Sequence, residues 1–191
     1  MASGTTSDLR NGMVIRYNGE LYQVVDFQHV SPGNWRAFVR MKLKGLTTGK
    51  VIEDRVRAGS DIEIVRIENR PMQFLYQDGD SFVFMDNETF EQLSVTADMV
   101  GDNARFLKDN ETAYLVFDDD TNTLIGVELP TFVVLTVVET TTAVRGDTAT
   151  DISKPATLET GAVINVPGFV NEGDLIKIDT RTGEYMERVR E

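Results

Sequence analysis

An all-β fold of three small β-barrels in tandem is what this 191-residue sequence predicts, and three observations carry the prediction. The apolar segments are short, about 5–8 residues, and turn residues interrupt them about every 8–12. Where two faces can be told apart the period is two. In 37–46 (AFVRMKLKGL), Phe38, Arg40, Lys42 and Lys44 share one side, and Val39, Met41 and Leu43 the other. No segment supports a helix longer than about two turns; 96–100 and 103–108 are the best short candidates.

Taken in order, strands are expected at 13–17 and 21–30, parted by Asn18-Gly19. That dipeptide favours a two-residue hairpin because both central residues of the turn take positive φ. The two-faced strand 37–46 follows, turned by Thr48-Gly49 into 51–56. Segments 72–77 and 81–86, rich in Phe and Tyr, flank Asp78-Gly79, and 111–117 and 124–129 flank an acidic turn from Asp118 to Asn122. Segment 131–140 (TFVVLTVVET) is nearly continuously apolar and β-branched, the composition of a central strand. Strands at 162–166, 175–179 and 184–189 close the chain, punctuated by Glu172-Gly173 and Thr182-Gly183.

Charge suggests where the pieces divide. The whole chain has 19 Lys and Arg against 31 Asp and Glu, a formal −12. Taken alone, that argues against a nucleic-acid partner, since phosphate binding leaves a basic footprint. Residues 1–65, however, carry nine basic and seven acidic side chains, a net of +2. Residues 66–128 carry four and fourteen, a net of −10, and 129–191 carry six and ten, a net of −4. Domains are therefore expected at 1–65, 66–128 and 129–191, each small but adequate for a five- or six-stranded barrel. Within the first, Arg36, Arg40, Lys42, Lys44, Lys50, Arg55 and Arg57 face only Glu53 and Asp54. This run reads either as a surface for an acidic partner or as a solvated strand face. The acidic middle reads as solubility, or as a device that keeps that domain off the same polyanion.

Composition also excludes whole classes of chemistry. With no Cys there are no disulfides, thiolate metal sites or Cys nucleophiles. The single His, His29, leaves no multi-His metal cluster and reads as a strand-face residue rather than a base. No apolar run reaches the ~18 residues of a membrane span, and the first residues lack the apolar stretch of a signal peptide. The expectation is a soluble, cytoplasmic chain without membrane contact. No P-loop, dinucleotide fingerprint or nucleophile elbow occurs, and Asp118-Asp119-Asp120 lacks calcium-loop spacing and reads as a solvated acidic turn. No catalytic residue, metal or cofactor is assigned, and the chain is not expected to be an enzyme.

The segment Ser31-Pro32-Gly33-Asn34-Trp35-Arg36 joins two strands, with Pro-Gly suited to the centre of a type II turn. It holds the chain's only Trp. Trp35 and Arg36 are a planar aromatic and a guanidinium of the kind that stack on unpaired bases and grip phosphates. The other reading of Trp35 is a lid folded over Phe38 or Phe27. Residues 139–154, which include Gly146-Asp147-Thr148, form a long connection that is either functional or a plain connector.

Several motifs, in order, carry a family resemblance. Residues 154–163 (KPATLETGAV), 166–170 (VPGFV) and 179–185 (DTRTGEY) resemble the C-terminal signature of bacterial elongation factor P. Residues 85–92 (MDNETFEQ) resemble that family's middle domain, and Gly146-Asp147-Thr148 its Gly-Asp-Thr loop. The resemblance implies a KOW-like (SH3-like) first barrel and two OB-folds in an L shape similar to tRNA. It further implies a translation factor that binds both ribosomal subunits beside P-site peptidyl-tRNA and promotes peptide-bond formation at consecutive prolines. On this reading 31–36 is the tip that meets the tRNA's CCA end, and Arg40, Lys42, Lys44, Arg55 and Arg57 line tRNA backbone. Gly146, Asp147 and Thr148 would face the E-site codon and small subunit, and the free protein would be a monomer. The departure is Asn34, which stands where relatives carry a Lys or Arg that is enzymatically extended. An amide offers no amine or guanidine to modify, so Asn34 is expected to be unmodified, with Trp35 and Arg36 supplying reach; Arg36 is the secondary modification candidate. The alternative function is a tandem OB-fold single-strand RNA-binding protein acting off the ribosome, which would spread stacking aromatics over its barrel faces.

Overall fold

The structure, a computed structural model, describes residues 2–33, 36–141 and 153–189. It is almost entirely β, as the sequence predicts, with strands gathered into three sheets. The first holds β1 (Ala2–Thr5), β2 (Val14–Tyr17), β3 (Glu20–Val30), β4 (Phe38–Gly45), β5 (Val51–Arg57) and β6 (Asp61–Val65), ordered β1-β6-β2-β3-β4-β5. The second holds β7 (Ile67–Asp78), β8 (Ser81–Met85), β9 (Gln92–Thr96), β10 (Thr112–Asp118) and β11 (Thr123–Glu128), ordered β11-β10-β7-β8-β9. The third holds β12 (Phe132–Thr140), β13 (Ser153–Leu158), β14 (Val163–Pro167), β15 (Leu175–Asp179) and β16 (Glu184–Val189), ordered β14-β13-β12-β15-β16. The two short helices expected are one α-turn, Ala97–Val100, and a 3-10 stretch, Gly101–Phe106. The chain condenses into two units, residues 1–70 with 115–126, and 71–114 with 127–191.

In the first unit the barrel core is built by strand alternation. Val39, Met41 and Leu43 of β4 are fully buried with Leu9, Ile15 and Val24, while Arg40, Lys42 and Lys44 between them are exposed. This is the period-two pattern read from 37–46. Strand β1 was not legible, because Ala-Ser-Gly-Thr has no apolar face. It forms because β6 offers an edge, pairing Ala2↔Ile64 through Thr5↔Asp61, and because a Cβ at Gly4 would overlap the Ile64 side chain. A second cluster of Val14, Val65, Val116 and Ile125, with Leu21, Leu46 and Ile67 against it, seats 115–126 on the barrel. Polar contacts reinforce it: Arg16 meets Glu63 at 3.0 Å and Asp118 at 4.0 Å, and Arg66 meets Asp120 at 3.2 Å. The Asp118 turn is therefore not merely solvated. Asp118 is buried, and its Oδ1 accepts the backbone N–H groups of Asp120 and Thr121.

In the second unit Phe106 leaves the end of the 3-10 stretch and enters the core of the third sheet, among Leu135, Val137, Leu158, Ile164, Ile176 and Ile178. The seat is flanked by Lys108–Glu159 at 3.2 Å and by the Thr160 hydroxyl donating to the Arg105 carbonyl at 2.6 Å. Strand β12 is central, as its composition predicts, yet only Leu135 and Val137 are buried, while Phe132, Val134 and Val138 face outward. Strand β13 was hidden in the sequence by Pro155, since proline removes a ladder donor. Pro155 lies one residue beyond the last pairing with β12, Thr140↔Ala156, so its missing N–H leaves that ladder whole.

Phe106 is 2% exposed, and deleting a buried aromatic leaves both a transfer loss and a cavity. Phe106→Ala should lower the stability of the second unit by about 3–5 kcal/mol. Urea denaturation checks this, and a loss below about 1 kcal/mol would show that Phe106 does not anchor the third-sheet core.

Candidate nucleic-acid interface

The candidate interface is the outer face of β3, β4 and β5, with the connection 31–37 at its end. The β3–β4 pairing runs from Tyr22↔Gly45 to Val30↔Phe38, and β4–β5 from Lys44↔Val51 to Phe38↔Arg57. Residues directly opposite one another share a face, so the register assigns each cation its neighbours. Lys42 lies between Asp26 on β3 and Glu53 on β5. Arg40 lies between Gln28 and Arg55, a like-charge pair with no acid in the row. Lys44 lies between Gln23 and Val51, and Arg57 opposite Phe38. The five cations predicted from sequence do share this exposed face, but they are not equivalent. Lys42 has an acid directly opposite on both sides, whereas Arg40, Arg55 and Arg57, at the end nearest Arg36, have none. Among the described residues none of these cations joins an ion pair, and Arg55 stacks over the Phe38 ring at 5.5 Å.

Two features aim the hairpin. A register shift between Val24 and Asp26 places Val25 as an extra residue, 42% exposed, and such a bulge bends the strand and tightens its twist. Beyond it Ser31, Gly33 and Arg36 are exposed and Pro32 half-buried, and Gly33 takes a φ of +29°, the sign expected of a type II turn. Asn34 and Trp35 lie outside the described residues. His29 is itself exposed but lies on the face that carries Val39, beyond the buried core, edge-on to Phe27 at 5.8 Å.

Sequence reading passed over one brace. The Tyr17 hydroxyl donates to Asp54 Oδ2 at 2.6 Å, and Asp54 Oδ1 accepts the Arg55 N–H at 2.7 Å. The carboxylate thus ties β2 to the strand bearing Arg55 and Arg57. The hydrogen bond to Asp54, with burial and the nearby negative charge, pushes the Tyr17 phenol up to about 12. The same bond holds the Asp54 carboxyl below its usual range. A Tyr and an Asp at such sequence separation carry no local signal; only the pairing of β4 with both neighbours brings them together.

Gly146, Asp147 and Thr148 lie outside the described residues. The strand ends that flank their segment are tied to each other. Buried Lys154 donates from Nζ to the Thr141 carbonyl at 2.7 Å, and the Thr140 hydroxyl donates to the Pro155 carbonyl at 2.9 Å.

The fold and this surface define a class: a chain of small β-barrel modules with a cationic strand face on the first and an acidic second module. Comparison with known proteins gives the family. The elongation factor P KOW-like domain model matches residues 5–62, the elongation factor P OB domain model 67–125, and the elongation factor P C-terminal model 133–188. Curated proteins named elongation factor P are similar over nearly the whole chain. That of Chloroflexus aurantiacus is 75% identical over 99% of this chain and 100% of its own. That of Roseiflexus sp. is 64% identical over 97% and 99%. Among solved structures, eukaryotic translation initiation factor 5A from Methanococcus jannaschii aligns with a TM-score of 0.53 at 20% identity, over 68% of this chain and 92% of that one, and so shares the fold. The chain belongs to the elongation factor P family of translation factors.

The Tyr17–Asp54 brace has a testable pH signature. Because folding raises the Tyr17 pKa from 10 to about 12, its contribution to stability is complete below pH 10 and disappears as pH rises through about 12. Ultraviolet titration should show one tyrosine ionising near 12, and Asp54→Asn should move it back toward 10. An unchanged midpoint in the variant would remove the brace.

Proposed function

We propose that this chain binds the ribosome beside P-site peptidyl-tRNA and promotes peptide-bond formation at stalling sequences such as consecutive prolines, by holding the CCA end. The observation that carries the proposal is the grouping of Arg40, Arg55 and Arg57, with no acid directly opposite any of them, at the Arg36 end of the hairpin. A phosphate backbone laid along β4 would meet its strongest attraction there and guide residues 31–36 to the tRNA's acceptor end. Proline is conformationally restricted in peptide transfer, and fixing the reacting ends lowers the entropic part of the barrier. The ribosome performs the chemistry; this factor positions the substrate.

The acidic second module supports a point contact over general RNA binding. Residues 71–104 contain seven Asp and Glu and no Lys, Arg or His. A tandem OB-fold that wrapped single-stranded RNA would need cations in this stretch, so the off-ribosome reading is the weaker one. Asn34 is taken as unmodified, leaving Trp35 and Arg36 to make the tip contacts. Gly146, Asp147 and Thr148 are assigned to the E-site codon side by resemblance to the family.

Two experiments test this. Protein made without modifying enzymes should restore synthesis through a Pro-Pro-Pro template in a purified translation system, and Trp35→Ala and Arg36→Ala should each reduce the effect. Full rescue by both variants would remove the tip mechanism, and no rescue by the parent would remove the function. In ribosome binding, neutralising three or four phosphates gives a log affinity that falls with log salt at a slope of about −3. Arg40→Ala and Arg55→Ala should each flatten that slope by about 1, and Lys42→Ala by clearly less. Equal effects from all three would show that the register does not grade the cations.

A further inference from the structure

We infer that the turn between β8 and β9 is a protein-docking element with Phe90 as its anchor, and that its partner is a basic protein surface holding an apolar pocket. Phe90 is 70% exposed, the most exposed large apolar side chain among the described residues. The other two exposed Phe rings are covered in part. Phe132 lies under the Lys177 ammonium at 4.9 Å, and Phe169 lies between Tyr185 at 6.5 Å and Arg188 at 5.8 Å. Among the described residues the Phe90 ring has no aromatic or cationic partner.

Its backbone is the second observation. Four described residues other than glycine have positive φ, and three of them are Asn18, Asn110 and Asn122, the residue type that tolerates this region. The fourth is Phe90, at +60°. An aromatic side chain there is strained, and Gly or Asn would relieve the strain. The turn nevertheless holds it firmly. Asp86 Oδ1 accepts the N–H groups of Glu88 at 2.7 Å and Thr89 at 2.9 Å, the Asp86 carbonyl accepts the Phe90 N–H at 2.9 Å, and the Asp86 N–H donates to the Glu91 carbonyl at 2.9 Å. A bare ring fixed by a closed turn loses little freedom when a partner covers it, which is the condition for an efficient binding anchor.

The charge around the ring selects the partner. Asp86, Glu88 and Glu91 lie within the turn, in the stretch of 71–104 that has no basic residue. Phosphates would be repelled, so base stacking on Phe90 is disfavoured despite its exposed face. A protein pocket rimmed by Lys and Arg meets both the ring and the carboxylates. The place to seek it, the ribosome, rests on the function proposed above.

The test is a full-length chain with the photocrosslinking residue p-benzoylphenylalanine at position 90, bound to purified 70S ribosomes carrying P-site tRNA. Sedimentation is scored before irradiation. The expected product is a crosslink to a ribosomal protein. A crosslink to RNA alone, or none from a chain that sediments normally, overturns the inference. A parent chain that fails to sediment overturns the ribosomal reading and this partner with it. In parallel, Phe90→Gly should raise the melting temperature by relieving the backbone and weaken ribosome binding about tenfold, while Phe90→Tyr binds like the parent. A Phe90→Gly chain that melts lower and binds unchanged would make Phe90 structural.

Discussion

The pairing of β3 with β4 is the constraint on which the rest of the structure depends. The same eight residues of β4 build the first barrel and display its charge, since Val39, Met41 and Leu43 are wholly buried and Arg40, Lys42 and Lys44 alternate with them. Because side chains alternate strictly, a slip of one residue would bury the cations and expose the core. The apolar residues therefore fix the register, and the register in turn decides which cation faces an acid. The electrostatic pattern of the surface is a by-product of core packing, held in place by far more free energy than the charges themselves contribute.

Beyond the barrel the chain repeats one device, an apolar insertion flanked by ion pairs. The Val14, Val65, Val116 and Ile125 cluster is flanked by Arg16 with Glu63 and Asp118. Phe106 in the third-sheet core is flanked by Lys108 with Glu159. Several of the carboxylates on this protein thus serve the fold. Asp118 and Asp179 are both nearly buried, and the Arg181 guanidinium holds the Asp179 carboxyl down to about 2. The net charge of −12 mixes these structural carboxylates with the exposed ones of the second module, and it describes neither the interface nor the anchor.

Period-two alternation made 37–46 readable to within a residue or two, and the Asn18-Gly19 dipeptide located the hairpin of β2 and β3. Strand β13 was not readable, because Pro155 argues against a strand unless one knows where its neighbour ends. Strand β1 was not readable either, since its existence is decided by an edge contributed from 61–65. For the interface, the cationic residues were legible as a group. Their ranking was not, because Asp26 and Glu53 become neighbours of Lys42 only through a register that includes the Val25 bulge. Phe90 was legible as part of a family-like motif and silent as an anchor, since nothing in a Phe codes for positive φ.

The central claim is that the outer face of β4 lies against the acceptor arm of P-site tRNA. The absence of Cys makes a site-specific measurement simple. Lys42→Cys, at the charge-balanced row, can carry a tethered iron chelate and be bound to ribosomes holding P-site tRNA. Hydroxyl-radical cleavage should then fall on the acceptor end of that tRNA and be absent when the chelate is placed at Ser94 on the acidic module. Cleavage of ribosomal RNA without tRNA cleavage from position 42, or equal tRNA cleavage from both positions, would contradict the account.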